Sequence, residues 1–253
     1  MPSSTPAKSP LKTFAMLRNG IRAKEIFVVL LRNGFNEIID KIYSPKSFFR
    51  HVIPKPDKSV TLWRRIRITC EELGPTFVKF GQILCTREDI LPLPLIEELK
   101  LLRDNVTPVP WEQIEPVFDA ELENGIAAHF SEFDKTPAAS GSVGQVYRAR
   151  LKSGEEVAVK IRRPGAAREL TRDFEILAWL VARAAEKIPE LASYDLAGIL
   201  DEIRDGVLRE TDFSIEARNA EYFNASNPFP EVFAPKIYAQ LSTKRVLVSE
   251  WIR

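Results

Sequence analysis

The chain contains 253 residues, of which 45% are hydrophobic and 28% are charged, so it can bury a core in one large domain or two small ones. These ordinary fractions exclude a wholly disordered, collagenous or coiled-coil chain. The net charge of +1 argues against a general nucleic-acid-binding protein, so no nucleic acid is expected among its partners. Cys70 and Cys85 form neither a CxxC motif nor a secreted disulfide framework, which favours a reducing compartment. No HExxH or Cys/His cluster is present, so no metal site is expected.

The N-terminal part of the chain is basic. Residues 1–60 contain eleven Lys or Arg and four Asp or Glu, whereas the remainder is mildly acidic. Residues 1–12 are rich in Ser, Pro and Lys and predict a flexible tail. From about Phe14 to Ile42, apolar residues recur at helical spacing with Lys and Arg between them, which predicts a basic amphipathic helix. Such a helix either covers the folded domain or lies on an anionic membrane surface, and both interpretations stay open.

The longest apolar run in that helix, IFVVLL, has six residues, whereas a bilayer needs about 20. We therefore expect no transmembrane segment. The predicted localisation is cytoplasmic, peripheral to the inner or cytoplasmic membrane.

The rest of the chain divides into a helical part and a mixed part. Residues 13–130 are predicted to be helical, with helices over 62–73, 77–85 and 95–103 and another from residue 111. Residues 131–253 then contain a β-hairpin, two long helical stretches at 166–187 and 196–223, and a second hairpin over the last strands. This order predicts an α+β fold, in which an antiparallel sheet carries helices, and it excludes a Rossmann alternation.

A glycine-containing loop leads into the first predicted strand. The segment that ends at Val146 matches the kinase template GxGxxGxV at Gly141 and Gly144, with Ala139 in place of the first glycine and Ser142 between them. Glycines serve such a loop because the backbone must approach phosphates closely and direct amide N–H groups at them. The match alone is weak, since a tight entry into a strand also uses glycine.

The second predicted strand contains VAVK, which matches the VAIK strand of kinases. Its Lys160 lies fourteen residues after Val146, which is the length of a strand, a turn and a returning strand. The hairpin therefore brings the ammonium group beneath the loop, where it could neutralise phosphate charge. Ala158 of the same strand is assigned to the same nucleotide site.

A phosphate-binding lysine needs a carboxylate that holds it in position, and three candidates follow. They are Glu210, Asp212 and Glu216, of which the last two are four residues apart and would share one face of a helix. Near the C-terminus, VSEWI ends a strand as a kinase hinge does, so the backbone of Glu250 and Ile252 is predicted to meet the adenine edge. These features occur in kinase order along the chain.

One further motif, KxGQ within LGPTFVKFGQIL, is not typical of ordinary kinases. Together with SVGQVYRA, VAVKIRRPG, an ExD element and EAxN, it makes the chain resemble the UbiB family of atypical protein-kinase-like proteins from about residue 14 to the last residue. The matching residues are Lys79, Gly81 and Gln82 of KxGQ, Glu210 and Asp212 of ExD, and Glu216 of EAxN.

The resemblance implies a kinase-like N-terminal lobe with an added helical extension, ATP or ADP with Mg²⁺ as cofactors, and a role in isoprenoid quinone (ubiquinone) biosynthesis. It implies that the KxGQ helix gates the nucleotide site, with Lys79 pairing chiefly with Glu210 while Lys160 pairs with Glu216. The implied partners are the nucleotide, a membrane surface through the basic N-terminal helix, and quinone-biosynthesis proteins.

The sequence departs from the family pattern in two ways. The loop usually reads Ala-Ala-Ala-Ser, whereas Gly141 restores a kinase glycine here, and we expect it to make ATP binding more kinase-like because glycine adopts conformations that alanine disfavours. The sequence also ends just after the predicted hinge. We therefore expect the catalytic Asp and the Mg²⁺ ligands to lie in a further lobe, so no catalytic residue is assigned in this chain. The alternative function is that of a non-catalytic nucleotide-sensing scaffold or a truncated remnant of such a protein.

Overall fold

A computed structural model describes residues 20–42, 59–103, 106–191, 194–229 and 231–252. The predicted tail at 1–12 and the start of the first predicted helix lie outside the described residues. The chain divides into two compact units that are each discontinuous in sequence. The first unit comprises Met1–Leu102 with Leu170–Arg204, and the second comprises Arg103–Glu169 with Asp205–Arg253. The domain boundaries at 13–130 and 131–253 stay a prediction.

Helices and strands follow one another in an order that confirms the α+β class. The helices are α1 (Gly20–Arg32), α2 (Asn36–Ile42), α3 (Leu62–Leu73), α4 (Pro75–Leu84), α5 (Leu93–Leu99), α6 (Trp111–Glu121), α7 (Ile126–His129), α8 (Ala166–Lys187), α9 (Leu196–Arg209) and α10 (Phe213–Ser226). The strands are β1 (Phe130–Phe133), β2 (Ala139–Ser140), β3 (Gly144–Leu151), β4 (Glu156–Arg162) and β5 (Val246–Glu250).

The first unit is helical and packs around one apolar cluster. Its buried members include Ile26 of α1, Leu73 of α3, Phe77 of α4, Leu99 of α5 and Ile176 of α8. Each of these helices contributes an apolar stripe to the cluster, and burial of such side chains stabilises the unit by about 1.5–3 kcal/mol for each large residue. No helix among the described residues combines the length and apolar character that crossing a bilayer requires.

The basic helix predicted from residue 14 to residue 42 is interrupted. Its described part forms α1 and α2, separated at Gly34, whose φ of 83° is the left-handed conformation that ends a helix. The interruption rotates the buried face, so that Ile26 and Ile39 are buried, whereas Val28 and Ile38 are 36% and 42% exposed. The single uninterrupted helix predicted here was therefore wrong, and of the apolar stripe predicted for it Phe35 and Ile42 are buried, whereas Val28 and Ile38 are not.

The second unit is built on an antiparallel sheet with the strand order β1-β3-β4-β5, and β2 pairs with the other end of β3. Along β3 and β4, every second side chain is buried against α6, as Tyr147, Val159 and Ile161 show. The opposite face, which we call the open face, carries Val146 directly across from Lys160. Since side chains alternate between the two faces of a strand, this register fixes which residues line the open face.

Several elements differ from the prediction. The helix predicted over 196–223 is two helices, because Asp212 is extended and caps α10. The predicted C-terminal hairpin is a single strand, β5, and Ile237 makes only an isolated bridge to Ser249. The segment between them contains a short 3₁₀ turn at Ala239–Leu241. The sequence analysis did not predict β1 and β2.

Candidate functional site

Four residues predicted to bind nucleotide meet on or beside the open face of the sheet. Val146 of β3 and Lys160 of β4 are paired across the strands, and Ala158 lies two residues before Lys160 on the same face. All three are half-buried, whereas their neighbours on the other face are fully buried. Glu216 of α10 reaches this face through its side chain. On this face, the Lys160 cation therefore lies beside a small apolar surface formed by Val146 and Ala158.

The ammonium group of Lys160 is held by two partners. Its Nζ lies 2.6 Å from Oε2 of Glu216, at the length of a charge-assisted hydrogen bond. The same Nζ lies 4.7 Å from the ring centroid of Phe213, within cation–π range. Because the Lys160 side chain is about one third exposed, this pair is not a sealed ion pair, and the ammonium group can also meet a ligand.

The spacing of Asp212 and Glu216 predicted that both lie on one face of a helix, but Asp212 lies at the start of that helix instead. It is the N-cap of α10 and accepts hydrogen bonds from the backbone N–H of Ser214 at 3.0 Å and from the Ser214 hydroxyl at 2.6 Å. The Ser214 hydrogen bond lowers the pKa of the Asp212 carboxyl. Asp212 thereby fixes the start of the helix that presents Glu216. Glu210 precedes this cap and is exposed.

Gly144 is required for packing. A Cβ at this position would lie 2.9 Å from the carbonyl oxygen of Ile161 and 3.0 Å from Cζ of Phe213, which no real Cβ tolerates without movement of its neighbours. The close approach of β3 to β4 and to the Phe213 ring therefore explains the glycine. Phosphate contact is not needed to account for it.

Gly141 is under no such restriction. A Cβ there would meet only the carbonyl oxygen of Gly144, at 3.7 Å, and Gly141 does not have a left-handed φ. The structure thus contradicts the conformational reason given for Gly141, because alanine fits the same backbone. The N–H of Gly141 donates to the Gly144 carbonyl at 2.9 Å, which closes the loop around half-buried Ser142.

One polar atom in this loop is buried without a hydrogen-bond partner among the described residues. It is the hydroxyl oxygen of Ser140, which directly precedes Gly141. A buried hydroxyl without a partner costs about 1–3 kcal/mol, so such atoms are rare in folded proteins. An unsatisfied hydroxyl beside a glycine loop is compatible with a ligand that supplies hydrogen-bond acceptors, as a nucleotide phosphate does.

Two further residues, which the sequence analysis did not single out, hold the loop to the segment before α6. The fully buried amide of Gln145 accepts a hydrogen bond from the N–H of Val109 and donates to its carbonyl at 3.1 Å. The guanidinium group of Arg163 donates to the carbonyls of Gly141 at 3.3 Å and Thr107 at 3.2 Å. A polar glutamine in phase with the inward-facing residues Tyr147, Ala149 and Leu151 of the strand is the signal that could have indicated the first of these contacts.

The predicted hinge residues lie at the end of β5. The N–H of Glu250 donates to the carbonyl of Lys236 at 2.8 Å, and the N–H of Trp251 donates to Glu156 of β4 at 3.2 Å. β5 ends at Glu250, and Ile252 lies beyond it. The contact of the Glu250 and Ile252 backbone with an adenine edge stays a prediction.

The KxGQ residues belong to the first unit, in α4. A Cβ on Gly81 would lie 2.4 Å from Cδ1 of Leu102 and 3.2 Å from Cδ2 of Leu99. The Gln82 side chain donates to the carbonyl of Leu102 at 3.4 Å. Within this unit, the glycine and the glutamine thus fasten α4 to the chain that follows α5. The gating role of Lys79 and its neighbours stays a prediction.

Among the described residues, no group of three or more His, Cys, Asp or Glu side chains is arranged to hold a metal ion. Of the acidic residues at the site, Asp212 is engaged in capping and Glu216 in the ion pair with Lys160. Both side chains are therefore already engaged within the described part of the chain.

Comparisons with known proteins extend over most of the chain. Residues 101–253 match the ABC1 atypical kinase-like domain. A "Probable protein kinase UbiB" of Pseudomonas fluorescens is 40% identical over 205 residues, which cover 78% of this chain and 38% of the relative. The protein slr0889 of Synechocystis is 33% identical, and the match covers 94% of this chain and 58% of the relative.

A solved structure, that of the Rv3197–erythromycin complex from Mycobacterium tuberculosis, matches with a TM-score of 0.50 and 32% sequence identity. The match covers 68% of this chain and 44% of that protein. The chain spans about two fifths to three fifths of the length of the curated relatives described above.

Proposed function

The chain belongs to the ABC1 atypical kinase-like family, and from this premise we propose that its second unit binds ATP or ADP on the open face of the sheet. The ion pair between Lys160 and Glu216 beneath the glycine loop is the observation that carries this proposal. In kinases, a strand lysine that is held by a helix carboxylate binds the α- and β-phosphates. This arrangement sets the lysine in place before a nucleotide arrives.

Each part of the site has a separate role in this proposal. Val146 and Ala158 form the apolar surface for the adenine ring, and the backbone of Glu250 and Ile252 meets its hydrogen-bonding edge. The loop from Ser140 to Gly144 covers the phosphates, and the Lys160 ammonium group neutralises part of their charge. Magnesium, when bound to the nucleotide, would neutralise the remainder.

Calorimetric titration of the 253-residue chain with ADP and with Mg-ATP tests the proposal. We expect saturable binding at one site and at least a tenfold weaker affinity for Lys160→Ala, since a charge-assisted contact contributes about 1.5–3 kcal/mol. Lys152→Ala is the matched control, because Lys152 is an exposed cation in the β3–β4 turn of the same unit. Binding that is equally strong in the wild type and in Lys160→Ala would overturn the proposal.

The family also suggests a role for the whole protein. We propose that it supports ubiquinone biosynthesis by using ATP at the membrane surface, to which its basic N-terminal segment is attracted. A Lys160→Ala substitution in the protein in its natural source should then lower cellular ubiquinone. Unchanged ubiquinone would contradict this role without affecting the nucleotide-binding proposal.

Release of inorganic phosphate by the protein isolated from its natural source separates an enzyme from a nucleotide-sensing scaffold. An enzyme releases phosphate from Mg-ATP and loses this activity with Lys160→Ala, whereas a scaffold binds the nucleotide and leaves it intact. Gly141→Ala tests the nucleotide preference in the same assay. An unchanged ratio of ATP to ADP affinity in that variant would show that the loop glycine does not set the preference.

A further inference from the structure

A second concave site lies at the end of β4, where the chain turns into α8. It is a cavity of about 450 Å³, within the range of about 300–1,000 Å³ that small-molecule sites occupy. Four arginines line it, and its described lining contains no carboxylate. These arginines are Arg162, Arg163, Arg168 and Arg245. None of the residues assigned to nucleotide contact is among the described residues that line the cavity, and Arg163 connects the two places, because it also donates to the carbonyl of Gly141.

Three of the four guanidinium groups are fixed in place. Arg162 donates to the carbonyl of Thr211 at 2.9 Å, and Arg163 donates to the carbonyls of Thr107 and Gly141. Arg245 donates to the Glu121 carboxylate at 2.6 Å. Backbone carbonyls orient a guanidinium group without removing its charge, so Arg162 and Arg163 are preorganised and still cationic. A ligand that binds them loses less side-chain entropy.

The positive charge of this cluster is only partly balanced. Three carboxylates attract Arg162, Arg163 or Arg245: Glu121, Glu169 and Asp212. Burial nevertheless lowers the pKa of both Arg162 and Arg163, and Arg245 lowers that of Arg162 further by repulsion. The surrounding carboxylates thus do not compensate for the lost hydration and the repulsion. An anion in the cavity would supply the missing compensation.

We infer that this cavity binds a small phosphate-bearing anion at a site separate from the nucleotide site. Arginine suits phosphate because its planar fork of N–H donors matches two phosphate oxygens at once. The cavity is larger than a single phosphate group needs, so a diphosphate or a phosphorylated small molecule is the class of ligand that it fits. The half-exposed Arg162 and Arg163 form the floor of the site, and the exposed Arg168 stands at its rim.

Titration of the 253-residue chain with inorganic pyrophosphate and inorganic phosphate, at constant ionic strength and without Mg²⁺, tests the inference. We expect one saturable site and tighter binding of pyrophosphate. Arg168→Gln, an exposed substitution that leaves the core untouched, should weaken pyrophosphate about tenfold or more, and Arg162→Gln should do the same. Circular dichroism and thermal melting check that both variants are folded.

Two controls remove one positive charge elsewhere. Lys152→Gln lies in the β3–β4 turn, at the opposite end of β4, and should keep wild-type pyrophosphate affinity. Lys160→Gln removes the cation of the nucleotide site and shows whether pyrophosphate is bound there instead. Absence of saturable binding at millimolar pyrophosphate would overturn the inference. It would also fail if Lys160→Gln abolished binding while Arg168→Gln did not, because the anion would then occupy the nucleotide site. These outcomes do not depend on whether nucleotide binds.

Discussion

Gly141 and Gly144 are three residues apart, but packing requires glycine at position 144 alone of the two. Alanine at 144 would press against the Ile161 carbonyl and the Phe213 ring, whereas alanine at 141 would meet ordinary van der Waals space. We therefore expect Gly144→Ala to lower the free energy of unfolding by about 1–3 kcal/mol, the usual cost of overpacking. Gly141→Ala should leave it unchanged or raise it slightly, since alanine reduces the entropy of the unfolded chain. Chemical denaturation of both variants makes the comparison.

Equal stabilities for the two variants would show that the contact between Gly144 and Phe213 is not tight. The comparison also bears on function. Phe213 touches the Lys160 ammonium group, so a ring displaced by the added methyl group would move the lysine as well. Gly144→Ala should therefore weaken nucleotide binding as a consequence of packing.

Gln145 is a buried polar residue whose loss leaves several groups unsatisfied. Its side-chain amide binds both backbone groups of Val109 and donates to the Tyr147 hydroxyl at 2.7 Å. We expect Gln145→Ala to destabilise the chain by about 3 kcal/mol, because each buried group without a partner costs about 1–3 kcal/mol. Gln113→Ala, an exposed position in α6, is the matched control. A loss below about 0.5 kcal/mol would mean that water replaces the amide.

At the scale of one element, the N-cap of α10 matters for the lysine site, because α10 carries Glu216. Asp212 accepts two hydrogen bonds from Ser214, so Asp212→Ala should cost about 1 kcal/mol and Asp212→Asn much less. The pKa of Asp212 is lowered in the folded chain, which means that its contribution is complete above the ordinary value of 3.8. The contribution is lost as the pH falls through the folded-state pKa.

Thermal unfolding at pH 7 and pH 3 measures this. The difference in stability between wild type and Asp212→Ala should shrink at the lower pH, because protonation weakens the cap in the wild type alone. A difference that is the same at both pH values would contradict the capping role of the charged carboxylate. Glu216 is the residue that a loosened cap would misplace.

Prediction from the sequence succeeded where a helix has a regular apolar stripe and clear ends. The bounds of α3 and α8 match the predicted ones, since capping Thr61 and the turn at Gly165 mark the two starts. Prediction failed where a single residue interrupts a helix although the apolar periodicity continues on both sides of it. Gly34 interrupts the basic helix, and Asp212 interrupts the helix predicted over 196–223. Apolar periodicity alone does not reveal these two interruptions, although glycine commonly ends a helix and aspartate commonly caps one.

For the candidate site, the spacing of the motifs left three carboxylates open as partners of Lys160, and the family resemblance implied Glu216. The lysine and its carboxylate are 56 residues apart and come together as the resemblance implies. The same motifs gave no indication that Gly144 and Gly81 are packing glycines. Such close approaches come from side chains remote in sequence, Phe213 in one case and Leu102 in the other, and a single sequence does not show them.

At the scale of the whole molecule, the two compact units do not follow the chain order. Residues 170–204 join the N-terminal helices although the whole sheet hairpin of β3 and β4 lies between them. A buried ion pair links the two segments of the first unit: Nε of Arg22 lies 3.0 Å from Oδ1 of Asp173, and its Nη2 lies 3.0 Å from Oδ2. The Asp173 side chain is only 3% exposed. Long-range pairs of this kind set the folded topology and leave no local pattern in the sequence.

This pair predicts how the first unit depends on residues 170–204. Asp173→Ala leaves the Arg22 guanidinium without its main carboxylate in a largely buried place, and the removal of one partner from a buried pair costs about 3–5 kcal/mol. Replacement of both residues, Arg22→Met with Asp173→Leu, should cost less than Asp173→Ala, because no unpaired charge remains. Urea unfolding of Arg22→Met, of Asp173→Leu and of the variant that carries both gives the coupling energy between the two residues. A double variant as unstable as the sum of the two single variants would show that α8 is held to α1 by its apolar contacts and that the ion pair contributes nothing.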